Sequence, residues 1–268
     1  MYRFYLSPGR CAGPELRLDG REAHHALHVL RVRRGDRVSV LDGAGREFFC
    51  EVTSGSRDAL TLRVTEKKNH PAPPCSITLL QAIPKGKIIE DIIQKAVELG
   101  ARRIVPLLTE HVVTRLDDRA AADKREKWQQ VAIEAIKQCG APWLPEIATP
   151  VSIEALLAHP SPKRASGVSA ETRQTGAAAW DLSLVGSLQT ERRHPRECIQ
   201  EYQARHGHPP QSVGVWIGPE GDFTLAELRA IEAAGARPIT LGSLTLRVET
   251  AAIYCLSILN YELSSGEQ

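Results

Sequence analysis

A proline-rich tract, KKNHPAPPC, divides the 268-residue chain into two stretches with different hydrophobic patterns. Three prolines within nine residues favour an extended, semi-rigid connection over a helix or a strand. We therefore predict a domain boundary near residue 72, with one domain over residues 1–72 and the other over residues 73–268. A chain of this length is sufficient for two compact domains.

The first stretch has the pattern of short β-strands with one helix among them. The segments RFYL, DRVSVLD, REFFCEVTS and ALTLRVTEK are rich in β-branched or aromatic residues, and several alternate apolar with polar residues. The segment REAHHALHVLR has helical periodicity, with Ala23, Leu27 and Leu30 on one face. One helix within a run of short strands predicts a small, partly closed barrel.

After the proline tract, strands alternate with helices, which is typical of an α/β domain with a mostly parallel sheet. The predicted strands are SITLLQAI, ARRIVPLL, KRASGVSA, QSVGVWIG and RPITLG. The predicted helices are GKIIEDIIQKAVELG, DKREKWQQVAIEAIKQCG, SIEALLAH, TLAELRAIEAAG and VETAAIYCLSILNYEL. Thr224 and Glu227 predict a capping box at the start of the fourth of these helices. Residues 171–195 show no clear period and are predicted to form an exposed loop.

The composition, 42% hydrophobic and 25% charged residues, is typical of a globular protein. The segment MYRFYLSPGR lacks the apolar core of a signal peptide, and no run approaches the ~20 apolar residues of a membrane span. The six cysteines are scattered without a pair at metal-ligand spacing, and the nine histidines form no HExxH pattern. We therefore expect a cytoplasmic protein with free thiols, no membrane partner and no metal.

Positive charge is concentrated in the first stretch. Residues 1–75 hold 13 Lys and Arg against 9 Asp and Glu, a balance of +4, whereas the remainder holds 21 against 23, a balance of −2. Arg31, Arg33, Arg34 and Arg37 lie close together, and such a cluster attracts phosphates. Charge alone is equally compatible with a solvated surface.

Two glycine-containing loops follow predicted strands in the last third of the chain. In VGVWIGPEGDF the strand ends at Ile217, and residues 218–221 lead towards a helix. In ITLGSLTLRVETAA the strand ends at Leu241, and a short loop leads to Arg247 and the last helix. Because open α/β sheets bind ligands beyond the carboxyl ends of their strands, the two loops favour a shared pocket, although either alone could be an ordinary turn. Neither loop has the GxGxxG or GxxxxGK[ST] pattern of a nucleotide site.

The segments IGPEGDFT and LGSLTLRVETAA resemble the signature of the SPOUT methyltransferase superfamily. More specifically they resemble the RsmE family, whose members methylate N3 of a uridine in small-subunit (16S) ribosomal RNA. HHALHVLRVRRGDRV is similar to the PUA-like N-terminal domain of that family, and QAIPKGKIIEDIIQKAVELGARRIVPL to the start of its catalytic domain. EHVVTRL and IEAIKQCG are similar to its middle. The resemblance covers nearly the whole chain, and the order and spacing of the blocks make it specific.

The resemblance implies a PUA-like, RNA-binding β-barrel over residues 1–72 and a SPOUT-type α/β domain with a C-terminal trefoil knot over residues 73–268. It also implies a homodimer, S-adenosylmethionine as the cofactor, and ribosomal RNA or the small ribosomal subunit as the partner. Backbone groups of the two loops are implied to recognise adenine and to hold the methionine end. The implied cofactor-binding residues are Ile217, Gly218, Pro219, Glu220, Gly221, Leu241, Gly242, Ser243, Leu246, Arg247 and Thr250.

The chain departs from the family pattern at two positions. Many relatives have glycine where Asp222 stands and a basic residue where Ala141 stands. The first departure bears on the flexibility of the loop, and the second on a contact with RNA.

Uridine N3 carries a proton and becomes a good nucleophile only when that proton leaves. We predict that Arg247 stabilises the resulting negative charge and that Glu249 acts as the base or positions Arg247. Alternatively, Arg247 and Glu249 simply pair at the start of the last helix, where a carboxylate is favoured. The predicted RNA contacts are Arg3, His24, His25, Arg31, Arg33 and Arg34, with one of the two histidines expected to be structural.

Three other functions are compatible with parts of the sequence. The same chemistry could act on another RNA, because the loop motifs read the cofactor and not the nucleotide. A non-catalytic RNA-binding or ribosome-assembly protein could keep the fold, although the intact GPEG and LRVETA segments argue against it. A small-molecule enzyme of ordinary α/β type would not need a basic first domain.

Overall fold

The computed structural model describes residues 1–56, 58–111, 116–158, 180–188 and 192–264. The chain forms two compact units, one from Met1–Ala72 with Ala132–Pro145 and the other from Pro73–Val131 with Glu146–Gln268. The division after residue 72 coincides with the proline tract. The assignment of residues 132–145 differs from the sequence prediction, which placed them in the second domain.

The first unit is built on a five-stranded sheet. Its strands are β1 (Tyr2–Tyr5), β2 (Glu15–Asp19), β3 (Arg37–Leu41), β4 (Arg46–Gly55) and β5 (Ala59–Asn69). Their order is β1-β3-β4-β5-β2, with β1 parallel to β3 and the other neighbours antiparallel. Strand β2, which the sequence analysis did not predict, alternates exposed residues with the buried Leu16 and Leu18.

The predicted helix of the first unit is short and changes its winding. Helix α1 (Gly20–His24) continues into one π-helical turn, His25–Val29. Ala23 is buried, and Leu27 and Leu30 pack against the same core, so the predicted apolar face is confirmed.

Residues 132–145 belong to the first unit because their side chains contact residues far away in sequence. Helix α3 spans Asp118–Cys139, and near its end the buried Lys137 ammonium lies 2.9 Å from a Glu22 carboxylate oxygen. The Trp143 indole fills the space that a Cβ on Gly45 would need. Hydrophobic periodicity reports only local structure, so it could not reveal these long-range contacts.

The second unit contains a seven-stranded sheet. Its strands are β6 (Ser76–Ala82), β7 (Arg103–Leu108), β8 (Glu146–Ile147), β9 (Val151–Ser152), β10 (Leu182–Gly186), β11 (Ser212–Ile217) and β12 (Arg237–Ile239). The order is β12-β10-β11-β6-β7-β8, with β9 also pairing with β7, and all these pairs are parallel. The predicted parallel α/β architecture is confirmed.

Helices cover both faces of this sheet. The remaining helices are α2 (Ile88–Glu98), α4 (Ile153–Ala158), α5 (Pro195–His206), α6 (Leu225–Ala233) and α7 (Val248–Leu263). Helices α4 and α6 share a core with Leu80, Val105 and Trp216 on one face. Helix α7 contacts α2 and α5 on the other, where the Asn260 amide donates to the Leu99 carbonyl at 2.8 Å. The predicted capping box of α6 is present, with Thr224 and Glu227 exchanging hydrogen bonds.

The prediction of an exposed loop over residues 171–195 is wrong for its described part. Strand β10 lies between β12 and β11, and Leu182, Leu184 and Val185 are buried. Ser183 interrupts the apolar pattern, but its hydroxyl is also buried and accepts the Trp216 indole N–H at 3.0 Å. Helix α5 was not predicted either. The predicted strand KRASGVSA lies outside the described residues.

The six cysteines are free, and five of them are buried. Burial raises the pKa of the Cys50, Cys75 and Cys255 thiols to about 12. Cys139 is exposed. Over the described ranges, none of the helices has the length and apolar character needed to cross a membrane.

Candidate functional site

A cavity of about 460 Å³ lies within the second unit, where the segments that follow β10, β11 and β12 meet the start of α7. These three strands are parallel neighbours in the sheet, so their carboxyl ends share one edge. Ile88 of α2 also lines the cavity. The cavity therefore occupies the edge at which open α/β sheets bind their ligands.

The structure brings most of the predicted cofactor-binding residues together around this cavity. Those that line it are Ile217, Gly218, Pro219, Glu220, Leu241, Gly242, Leu246 and Arg247. Gly221, Ser243 and Thr250 are exposed and do not line it. Glu249, predicted as the base, lines the cavity together with Arg247.

The loop after β11 is shaped by glycine and by Asp222. A Cβ on Gly218 would lie 3.0 Å from Asp222 Oδ1 and 3.2 Å from the Phe223 nitrogen, so this tight turn favours glycine. Asp222 itself has a φ of 60°, a left-handed conformation that aspartate tolerates better than most residues. Its carboxylate accepts the backbone N–H of Phe223 at 2.8 Å and that of Leu188 at 3.1 Å.

The loop after β12 leaves the backbone around Gly242 uncovered by side chains of the described residues. Gly242 has a φ of 118°. Apart from Gly242 and its two chain neighbours, no described residue has an atom within 4 Å of the position that a Cβ would take. Thr240 holds the turn, because its hydroxyl accepts the Gly242 N–H at 3.2 Å and donates to the Gly242 carbonyl at 3.1 Å. Leu244, further along the loop, is 76% exposed. A ligand can therefore approach the peptide groups of this loop closely.

Arg247 is the N-cap residue of α7, and its side chain makes no capping hydrogen bond. It is exposed, whereas Glu249 in the first helical turn is half-buried. Both residues belong to the described chain, and no ion pair links them there. The geometry thus gives no support to the simple pairing of these two side chains.

Among the described residues, five charged ones line the cavity: Arg192, Glu220, Asp222, Arg247 and Glu249. These three carboxylates and two guanidinium groups have a formal balance of −1. Glu220 Oε1 accepts the Lys85 backbone N–H at 3.0 Å. Within the described part of the chain, no group of three or more His, Cys, Asp or Glu side chains could hold a metal ion.

The sequence analysis missed the side of the cavity formed by the segment after β10. Gly186, Ser187, Leu188 and Arg192 line it, and all four fall in the stretch predicted to be a loop. The available signal was DLSLVGS, a short apolar run that ends in glycine. Such a run is compatible with a buried parallel strand that is followed by a ligand-binding turn.

The predicted RNA contacts lie in the first unit. Arg31, Arg33, Arg34 and His24 are exposed, and His25 is half-buried at the start of the π-helical turn. Arg31 has a φ of 55°, and the Arg33 N–H donates to Asp36 Oδ2 at 2.7 Å.

The last of these predicted contacts, Arg3, is half-buried. Its guanidinium donates to the Gln138 carbonyl at 3.3 Å, at the C-terminal end of α3.

Comparison with known proteins gives matches over nearly the whole chain. Residues 71–260 match the family described as an RNA methyltransferase domain, and residues 18–65 match that described as an RNA methyltransferase PUA domain. The chain is 31% identical to Ribosomal RNA small subunit methyltransferase E of Bacillus subtilis, over 95% of this chain and 94% of that protein. It is 30% identical to the protein of the same name from Synechocystis, over 98% of this chain and 78% of that protein.

Solved structures with a similar fold include two with a bound cofactor. One is Ribosomal RNA small subunit methyltransferase E from Neisseria gonorrhoeae bound to S-adenosyl methionine, with a TM-score of 0.78, 26% identity and 98% of both chains covered. The other is a Legionella pneumophila protein in complex with SAM, with a TM-score of 0.79, 28% identity and 97% of both chains covered.

Proposed function

This chain belongs to the RNA methyltransferase family, and from that premise we propose that it methylates N3 of a specific uridine in small-subunit (16S) ribosomal RNA. The relatives that carry a small-subunit methyltransferase name support this substrate. The observation that carries the proposal is the cavity in which Gly218, from the loop after β11, meets Gly242 and Arg247, from the loop between β12 and α7.

The residues around the cavity fit S-adenosylmethionine. A volume of about 460 Å³ lies within the usual range for small-ligand and cofactor sites. Apolar side chains such as Ile217, Leu241 and Leu246 line it, and the open backbone at Gly242 offers peptide groups to the edges of an adenine ring. When bound, S-adenosylmethionine supplies an electrophilic methyl group.

Arg247 and Glu249 are the residues that we assign to the target uridine. Arg247 is exposed at the rim of the cavity, so its guanidinium can reach the uridine oxygens and stabilise the negative charge that develops as N3 loses its proton. Glu249 lies two residues further into α7, and its carboxylate accepts that proton. Holding the reacting atoms in register contributes a further ~7–11 kcal/mol to a reaction of this type.

The first unit provides a surface for binding RNA. The match to an RNA methyltransferase PUA domain and the exposed Arg31, Arg33 and Arg34 support this role. Contacts of arginine with phosphate are independent of base sequence, so these residues anchor the RNA while the cavity selects the nucleotide.

We extend the proposal to a C-terminal trefoil knot and a homodimer in the cytoplasm. The meeting of the segments after β10, β11 and β12 around one cavity is compatible with a knotted path. Tyr254 and Tyr261 are 45% and 74% exposed and lie seven residues apart on α7, so a second copy of the chain could cover this face. Light scattering on the purified protein would give twice the mass of one chain if the dimer forms.

The decisive experiment transfers radiolabelled methyl groups from S-adenosylmethionine to small ribosomal subunits that lack this modification. Digestion to nucleosides should yield labelled 3-methyluridine. Label in another nucleoside, or only in transfer RNA or large-subunit RNA, would contradict the proposed substrate. Absence of cofactor binding would favour the non-catalytic RNA-binding alternative.

A further inference from the structure

Arg192 lines the cavity although it belongs to neither of the two loops that carry the family motifs. Its Nη1 donates to the carbonyl of Ser187, just beyond the end of β10, at 3.3 Å. The next residue is held by β12, because the Arg193 N–H donates to the Pro238 carbonyl and the Arg193 carbonyl accepts the Thr240 N–H, at 3.2 and 2.9 Å. The backbone beside Arg192 is therefore held against β12, and its guanidinium is hydrogen-bonded to the segment after β10, the neighbouring strand.

Two of the three carboxylates in the cavity lining already accept backbone hydrogen bonds. Glu220 accepts one from Lys85, and Asp222 accepts one each from Phe223 and Leu188. Among the residues that the structure describes, Arg192 forms no ion pair with either. A guanidinium has five N–H donors in a planar fork. Within the described part of the chain, the hydrogen bond to Ser187 uses one of them, so the others can donate to a ligand.

Arg247, the second guanidinium of the cavity, is placed differently. It is exposed at the N-terminus of α7, and its side chain makes no capping hydrogen bond. Both arginines are exposed, but the hydrogen bond to Ser187 holds Arg192 against the cavity wall, which suits a resident ligand. The position of Arg247 at the rim suits a substrate that arrives from solvent.

We propose that Arg192 binds the α-carboxylate of the methionine part of S-adenosylmethionine. This inference rests on the proposed function, because it needs a ligand with that carboxylate. The sulfonium and ammonium groups of the cofactor outnumber its one carboxylate. The three carboxylates among the described lining residues complement these cationic groups, while Arg192 pairs with the anionic end. Planar pairing of arginine with a carboxylate is the geometry that guanidinium favours.

The test compares two ligands that differ at this carboxylate. S-adenosylhomocysteine keeps the amino-acid end, whereas 5′-methylthioadenosine lacks it. By isothermal titration, Arg192→Gln should weaken S-adenosylhomocysteine binding roughly 10- to 100-fold and leave methylthioadenosine binding unchanged. Arg192→Lys, which keeps the charge without the fork, should lose less affinity.

The matched control is Arg193→Gln, which removes the same charge one residue away. Arg193 pairs with Glu201 at 2.9 Å and does not line the cavity, so both ligands should bind this variant as they bind the wild type. Methylthioadenosine binding also reports whether Arg192→Gln keeps its fold.

Three results would overturn the assignment of Arg192. Equal weakening of both ligands would mean that Arg192 only shapes the wall. Unchanged affinity for both, with weaker binding of RNA, would mean that Arg192 binds phosphate. Failure of the wild type to bind either ligand would overturn the proposed function itself, and the inference with it.

Discussion

Asp222 ties the loop after β11 to the segment after β10, because its carboxylate accepts the Leu188 backbone N–H at 3.1 Å. The same carboxylate holds the Phe223 N–H at 2.8 Å, and both Asp222 and Leu188 line the cavity. Glycine at this position would keep the left-handed backbone but could not make either hydrogen bond. In this chain the side chain of Asp222 therefore links two walls of the candidate site.

Substitution of Asp222 should separate its side-chain role from its backbone role. Asp222→Ala loses both hydrogen bonds, and alanine tolerates a φ of 60° less well than aspartate does. The free energy of unfolding should therefore fall by about 2–4 kcal/mol. For Asp222→Gly the free energy of unfolding should fall by about 1 kcal/mol less than for Asp222→Ala, since glycine adopts this φ without strain. Asp222→Asn keeps one of the two acceptor oxygens and so can keep only one of the two hydrogen bonds, which should place its stability between the wild type and Asp222→Ala. Urea denaturation would measure the free energy of unfolding of all three variants. Equal stability of the alanine and glycine variants would show that the left-handed backbone at position 222 does not strain alanine.

Arg247→Ala should lower the rate of methyl transfer while leaving the cofactor site intact. Loss of one donor to developing negative charge costs about 10²- to 10³-fold in kcat. Because the Arg247 side chain makes no capping hydrogen bond, α7 should keep its stability. Binding of S-adenosylhomocysteine should change by less than about threefold. Full activity of Arg247→Ala at saturating cofactor would show that Arg247 does not stabilise the charge on the uridine.

The exposed pair Arg33 and Arg34 should contribute to RNA affinity through phosphate. The double variant Arg33→Ala/Arg34→Ala should bind RNA more weakly and lower the slope of log K against log salt concentration by about 1.4, for two contacts to single-stranded RNA. The double variant Arg205→Ala/Arg229→Ala removes the same charge from exposed positions of α5 and α6 and should keep the wild-type slope. Equal slopes for the two double variants would indicate a non-specific effect of net charge.

The Cys139 thiol should be the one that reacts readily in the folded protein. The pKa of the Cys11 thiol is raised to about 11, and burial is its largest cause. For Cys50, Cys75 and Cys255 the value is about 12, so only roughly 10⁻⁴ of each is thiolate at pH 8. Ellman's reagent should titrate one thiol rapidly at pH 8 and six in denaturant, and Cys139→Ser should abolish the rapid phase. Rapid reaction of several thiols would show that the buried cysteines become accessible.

Hydrophobic periodicity predicted the regular elements well where the pattern was uninterrupted. The predicted helix GKIIEDIIQKAVELG is present as α2, on which Ile89, Ile92 and Ile93 are buried, and the predicted capping box of Thr224 is also present. Strand β10 was not predicted because a polar residue, Ser183, interrupts its apolar run. The Ser183 hydroxyl can be buried because it accepts a hydrogen bond from the Trp216 indole, and this long-range contact cannot be read from local periodicity.

Local sequence patterns also predicted only part of the candidate site. The glycine-containing loops after β11 and β12 predicted two of its walls. The wall that contains Arg192 follows DLSLVGS, a short apolar run whose role depends on the position of β10 in the sheet. The assignment of residues 132–145 to the first unit rests on pairs such as Glu22 and Lys137, which are more than a hundred residues apart.

Arg3 lies against the C-terminal end of α3. A Cβ on Gly140 would lie 2.9 Å from Arg3 Cζ, and the guanidinium donates to the Gln138 carbonyl at 3.3 Å. The charge of Arg3 thus lies beside Gly140, the residue that precedes Ala141. We expect Arg3→Ala to weaken RNA binding about five- to tenfold, the loss of a single phosphate contact.

Adding Ala141→Arg to that variant should restore most of the affinity, because it returns a positive charge to the same end of α3. Ala141→Gln, similar in reach but neutral, should not restore it. Filter binding at several salt concentrations measures all three, and the rescued variant should regain the wild-type salt slope. If Ala141→Arg fails to rescue, Arg3 acts through its hydrogen bond to Gln138, which stabilises the helix end by about 0.3–1 kcal/mol, and not through a charge presented to RNA.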